Sequence, residues 1–209
     1  YRENPTASTS TVSACRVNTH ILVTDGFYNG GFTQPSNFKR DNVSVEPLPD
    51  GTDYIANSSD TKIYYNANDT QSISDLAFHY WASDLLTSED NNLTPYFVKD
   101  NGIESTDYWD PRNDPATWKH MTSYSISFGA EGSVGTDELT YQALLDGTRT
   151  WPQTTTGTNT TIDDLYHSAI NGRGAYFDAA NPDDLVDALQ EITDRLASRQ
   201  ANAPTIVAN

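Results

Sequence analysis

Cysteine is almost missing from this 209-residue chain. Cys15 stands alone, so neither an internal disulfide nor a thiolate metal cage can be built. An odd cysteine near one end suggests a piece cut from a longer chain, with its partner elsewhere. Positive charge is also scarce. Twelve Lys and Arg stand against 29 Asp and Glu, a net charge of −17, which repels nucleic-acid backbones and anionic membrane leaflets. No apolar run approaches the roughly 20 residues of a membrane-spanning helix. No secretory leader is visible, and Tyr1 reads as an internal start. Gly-x-Ser-x-Gly and His-Glu-x-x-His are absent, and no twelve-residue EF-hand pattern fits.

What is present is aromatic and acidic. Twelve Tyr, 7 Phe and 4 Trp argue against disorder throughout, although hydrophobic residues make up only 36%. The expected object is a folded domain with long polar loops, whose carboxylates suit divalent cations or a cationic partner.

A continuous apolar run, Ile21-Leu22-Val23, predicts a strand buried on both faces of a parallel sheet. It ends in Thr24-Asp25-Gly26, at the strand end where open α/β sheets bind ligands. Residues 27–70 show little periodicity and read as a loop-rich insertion, with short strands expected at Asp53–Ala56 and Lys62–Tyr65. Ile73, Leu76, Ala77, Tyr80, Trp81 and Leu85 mark one stripe of a helix over 71–86. Residues 87–118 read as a polar connection, with a short helix near Pro115. Tyr124, Ile126 and Phe128 alternate along a second strand, Thr122–Gly129. A helix follows from Thr136-Asp137-Glu138, with Leu139, Ala143 and Leu144 buried and Gly147 as its stop. Ile162–Ile170 predicts a short helix ended by Asn171-Gly172, and Gly174–Ala179 a third strand. Asn181-Pro182-Asp183-Asp184 is the clearest helix start in the chain, with Leu185, Leu189, Ile192 and Leu196 on one face. Thr205–Val207 is expected to begin a further strand. This alternation predicts an α/β fold with an open, mostly parallel, Rossmann-like sheet.

Several residues invite a chemical reading beside a plainer one. Asp25 either caps a turn or binds a ligand. Asp163-Asp164-x-x-His167 places three groups within one helical turn, for metal or proton work, but an acidic helix start with a packed histidine is the simpler reading. Adjacent acids on a helix point apart, which suits a carboxylate-pair hydrolase poorly. His79, His120, Tyr80 and Trp81 read as structural. Asp60, Asn66, Asn68 and Asp69 fit a solvated loop better than a calcium site. The Gly129–Gly135 stretch lacks the Lys of a phosphate loop. Asn-x-Ser/Thr sites at Asn42, Asn57, Asn68, Asn92 and Asn159 are expected by chance in such a composition.

The segment Ile21–Gly26 resembles the fourth strand of a von Willebrand factor A domain. Cys15-Arg16, Asp75–Trp81 with Asp84-Leu85, Trp118–Met121 before Ser125–Gly129, and above all Ile162–Phe177 follow the order found in PilY-type proteins of type IV pili. Leu196–Asn209 is similar to that family's exit toward its β-propeller. The resemblance covers about residues 15–209. It implies a polar lead-in over 1–18, a partial A-type domain over 19–198 (insertion about 27–70), and a linker over 199–209. It further implies a non-enzymatic adhesion and assembly module at an extracellular pilus tip. Its partners would be minor pilins, other tip subunits, a host or surface ligand, and the rest of the same protein. A structural spacer is the alternative. The implied cofactor is Mg, Mn or Ca at an adhesion site to which Asp25 contributes. That site also needs Asp-x-Ser-x-Ser, which this chain lacks. The first three strands are therefore expected upstream of Tyr1, the chain alone is expected to bind metal weakly or not at all, and the sheet edge at the first strand is expected to be bare.

Overall fold

The computed structural model describes residues 17–30, 33, 35, 37–68, 72–88 and 90–201. Cys15-Arg16, Asp69, Thr205–Val207 and most of the lead-in and linker lie outside the described residues. Three parallel strands form the sheet: β1 (Asn18–Thr24), β4 (Met121–Phe128) and β5 (Arg173–Ala179), in the order β1-β4-β5. A small antiparallel pair, β2 (Lys99–Asp100) and β3 (Ile103–Glu104), interrupts the connection before β4. Four α-helices complete the fold: α1 (Ile73–Trp81), α2 (Glu138–Asp146), α3 (Thr160–Asn171) and α4 (Pro182–Ala201). The α/β class and the parallel sheet expected from the sequence are both found.

Strand β4 explains the layering. Its Tyr124 and Ile126 pack with Ala188 and Ile192 of α4. The alternate residues are serines, and this small, polar face lets α3 approach closely: Ser125 Oγ lies 3.0 Å from Ser168 Oγ. Helices α1 and α3 thus cover one face and α4 the other. A side chain on Gly174 would run into the Ser123 carbonyl across the β4–β5 pairing, so this glycine fixes how close the two strands sit.

Helix ends follow the local chemistry. The Asp137 carboxylate accepts the Thr140 N–H, and Gly147 leaves α2 in the left-handed region at φ 77°. The Asn181 side chain accepts the N–H groups of Asp183 and Asp184 at the start of α4. The Ser72 hydroxyl caps α1.

Several expectations are corrected. Strand β1 is not buried on both faces: Ile21 is 40% and Val23 49% exposed. They pair in register with Tyr124 and Ile126, on the face that α4 covers over β4 and β5 but not over the edge strand. Leu139 is 83% exposed, because α2 docks through Tyr141 and Leu144 instead. Leu189 is also exposed, and Ala188 takes its place against the sheet. Helix α1 ends at Trp81. Its deepest residues include Phe78, Ser74 and Asp75, whereas Ile73, Leu76 and Tyr80 line a groove of about 340 Å³ beside Leu22 of β1. No helix forms near Pro115. Lys62–Tyr64 is one 3-10 turn, and Tyr54 makes only an isolated bridge with Val45.

The segments read as polar loops hold the largest apolar cluster. Leu48, Tyr54, Ile63 and Tyr64 join Phe78, Trp81, Trp118 and Trp151 in it. Their spacing has no helical or strand period, so windowed patterns pass over them, yet each aromatic buries a large area.

Candidate functional site at the carboxyl end of the sheet

The last residues of the three strands lie side by side: Thr24 pairs with Ser127, and Ser127 with Asp178. This is the sheet end at which ligands bind in open α/β folds. The Thr24 hydroxyl donates to the Gly26 carbonyl at 2.8 Å and accepts the Gly26 N–H at 3.3 Å, which fixes the turn carrying Asp25. Asp25 itself is exposed and makes no hydrogen bond or ion pair among the described residues. Among those residues no group of three or more His, Cys, Asp or Glu side chains gathers as metal ligands.

Beside this row, a polar cleft of about 300 Å³ opens between the loop after β4, the start of α3 and the end of β5. Ser127 Oγ donates to Asp178 Oδ1 at 3.2 Å and lies 2.7 Å from the Tyr176 hydroxyl. Asp163, buried at the base, accepts from the Ser133 hydroxyl at 2.5 Å and from the Val134 N–H at 2.8 Å. It clamps the glycine-rich loop, and a side chain on Gly132 would collide with it.

Asp164 points elsewhere. Its Oδ2 accepts from the Tyr28 hydroxyl at 2.7 Å and the Ile73 N–H at 2.8 Å, and its Oδ1 from the Ser74 N–H at 3.0 Å. It therefore caps the N-terminus of α1 from the neighbouring helix. Burial raises its pKa, against those hydrogen bonds.

His167 faces a third place. Its Nε2–H donates to the Tyr64 carbonyl at 2.8 Å, and its ring stacks on Trp151 at 4.4 Å. Burial pushes its pKa down to about 3. Asp41 Oδ2 lies 3.7 Å away. Burial and then the Asp75 charge raise the Asp41 pKa well above its usual range, against the hydrogen bonds from Asn66 and Asn171. The Asp163-Asp164-x-x-His167 pattern is thus three separate structural devices.

The remaining candidates are structural too. His79 stacks on Phe38 at 3.7 Å and accepts the Lys39 N–H. His120 lies between Asp114 and the Trp118 carbonyl. Trp81 is buried, but Tyr80 is partly exposed on the groove beside β1. Asn66 bonds the Pro152 carbonyl and the Asn68 N–H, while Asp60 bonds Ser59; they share no ligand site.

Sequence reading missed a second polar centre. Asp114 binds Arg199 at 2.6 Å and His120 at 2.9 Å. Burial opposes its charge, but His120 and Arg199 outweigh burial and hold its pKa below the usual range. Arg199 also donates to the Arg173 carbonyl. These residues are up to 85 positions apart, and no local motif joins them.

No family model matches the chain, and no solved structure matches it. Curated proteins do, among them three named type IV pilus biogenesis factor PilY1, all from Pseudomonas aeruginosa. The protein of strain UCBPP-PA14 is 36% identical over 200 residues, covering 91% of this chain and 17% of the relative. Those of strains PAO1 and PAK are 36% and 37% identical over 216 residues, covering 99% of this chain and 18% of each relative. The chain therefore spans less than a fifth of the length of the curated relatives it matches.

Proposed function

We propose that this chain, similar along nearly its whole length to one segment of type IV pilus biogenesis factors, is a non-enzymatic adhesion and assembly module of such a factor. The observation that carries the reading is β1. It pairs with β4 on one side only among the described residues, it exposes Ile21 and Val23 on one face, and it borders an apolar groove on the other. An edge with both faces apolar is a pairing surface. In the natural protein its occupant is a strand of the same polypeptide, in keeping with an A-type sheet that continues past β1. Relatives more than five times as long have the chain to supply it.

Asp25 then stands at the junction between β1 and that added strand, where it contributes one carboxylate to a Mg, Mn or Ca site. A cation held there by hydroxyls and carboxylates keeps a coordination position for an acidic group of a partner. The partners in this reading are minor pilins or other tip subunits and a surface or host ligand, at an extracellular pilus tip. The carboxylate-hydrolase alternative is disfavoured because Asp163 and Asp164 serve unconnected hydrogen-bond systems. The spacer alternative remains the competing outcome of the test.

Calorimetric titration with Mg²⁺, Mn²⁺ and Ca²⁺ separates these readings. Binding is expected in the full-length natural protein, abolished by Asp25→Ala, and weak or absent in the 209-residue chain. Binding that ignores Asp25→Ala removes this residue from the site, and silence of the full-length protein favours the spacer.

A further inference from the structure

The cleft between the β4–α2 loop, α3 and β5 has a second feature that its structural duties leave unused. Tyr166 lines it and is only 8% exposed. Its ring packs edge-on against Trp151 at 5.2 Å and tilted against Tyr176 at 5.1 Å. Its hydroxyl has no hydrogen-bond partner among the described residues. The oxygen is not one of the fully buried atoms left without a partner: it reaches solvent from an otherwise buried side chain that lines the cleft, and so is open to a donor or acceptor that enters.

The other groups around the cleft define that visitor. Glu131, on the loop after β4, and Asp178, near the end of β5, are exposed carboxylates lining the cleft, and the buried Asp163 lines it too. Tyr166 and Tyr176 present aromatic surface. Among the described residues no Lys, Arg or His lines the cleft. The Arg149 guanidinium donates to the carbonyl of Ser133, one of the lining residues, at 2.9 Å. Such a wall of acceptors and rings wants a donor-rich cation.

We propose that this cleft is a binding site for an aliphatic ammonium group, taken as a lysine side chain of a partner protein. An ammonium has three donors and no acceptor. It can divide them between separated carboxylates while its methylene stem lies on the tyrosine rings. A divalent metal is the poorer fit, since the acids do not converge as a ligand set among the described residues and Asp163 Oδ1 and Oδ2 are both already bonded. The cavity, about 300 Å³, is at the small end of ligand pockets and suits one side chain. The net charge of −17 would draw a basic partner toward it.

The test is an NMR titration of the isotopically labelled 209-residue chain with two capped tripeptides, acetyl-Gly-Lys-Gly-amide and its norleucine counterpart. The lysine peptide is expected to shift resonances of Gly132, Val134, Tyr166 and Tyr176, and to bind at least about fivefold tighter than norleucine. Asp178→Asn combined with Glu131→Gln, both on the surface, is expected to erase that preference. Tyr166→Phe removes one hydroxyl from the same fold and is expected to weaken the lysine peptide about fivefold without altering norleucine. Equal binding of the two peptides overturns the proposal, as do shifts confined to another surface. Ca²⁺ binding in the cleft that depends on the same two acids and displaces the peptide also overturns it, because the cleft is then a metal site.

Discussion

The Arg173 guanidinium carbon lies 4.4 Å from the centroid of the Trp81 ring. Arg173 opens β5 and Trp81 ends α1. Tyr64 and Trp109, from the irregular segments, contribute rings at 4.6 and 5.5 Å. Its Nη1 donates to the carbonyls of Tyr108, Asp110 and Asn113. One fully buried cation therefore ties the sheet, a helix and the long connections into a single core. Replacing Arg173 by Ala leaves three carbonyls and an aromatic cage without their cation, and is expected to cost about 3 kcal/mol or more. Arg173→Lys recovers little, because a compact ammonium cannot stack flat on several rings. Urea unfolding of both variants checks this; a loss below about 1 kcal/mol for Ala would show that the cage contributes little.

Gly174 is expected to be intolerant of any side chain. The obstacle is the Ser123 backbone carbonyl of the adjacent strand, which cannot swing away as a flexible side chain can. Gly174→Ala should therefore disrupt the β4–β5 pairing and yield poorly folded protein, while Gly30→Ala, with open space around it, should be tolerated. Circular dichroism melts of the two variants make the comparison.

Stability should fall in mild acid through His167. Its pKa drops from 6.5 to about 3 in the folded chain because burial disfavours its charge. Below pH 6.5 the unfolded chain takes up a proton that the native state refuses. The stabilisation is thus complete above pH 6.5 and declines as pH falls toward 3, by up to about 1.4 kcal/mol per unit. His79, lowered to about 4 by burial and Lys39, acts in the same direction. Asp41 acts in the opposite one. Its raised pKa makes the native state hold a proton that the unfolded chain releases, so its contribution is greatest below pH 3.8 and is lost as pH rises through the raised value. Chemical denaturation of His167→Gln between pH 4 and 7 should show a shallower acid slope than the wild type; an unchanged slope would mean that His167 titrates freely.

On α2, Leu139→Lys should change stability by no more than about 0.5 kcal/mol, since the side chain is solvated. Leu144→Ala, in the aromatic cluster, should cost about 2–5 kcal/mol. A large effect at Leu139 would mean that α2 docks through a different face.

The contrast between those two leucines shows how far the sequence could be read. Helix α4 and the start and stop of α2 were legible because Asn181-Pro182, Asp137 and Gly147 act within one turn. Strand β4 was legible because Tyr124, Ile126 and Phe128 alternate. The face a helix buries depends on what docks against it, and the docking partners of α2 and α1 are aperiodic: Tyr54, Ile63, Tyr64, Trp109 and Trp118. The same reason hid the Asp114–His120–Arg199 centre, whose members meet only after the whole chain has folded. Strand β1 misled because Ile21-Leu22-Val23 has the composition of an interior strand while it occupies an edge among the described residues. Asp25 was legible as the polar end of a strand. Asp163 and Asp164 were legible as neighbours on a helix that point apart, though not as a loop clamp and a helix cap.

The most direct measurement of the proposed role substitutes the outward face of that edge strand. Ile21→Lys with Val23→Lys changes two exposed side chains and should leave the melting temperature of the 209-residue chain nearly unmoved. Introduced into the full-length protein of a piliated bacterium, the same pair should strip the cells of surface pili and of adhesion, because two charges would be buried where an added strand must pair. Normal piliation and adhesion, with the variant protein present at wild-type levels, would contradict the claim that this edge is a working pairing surface.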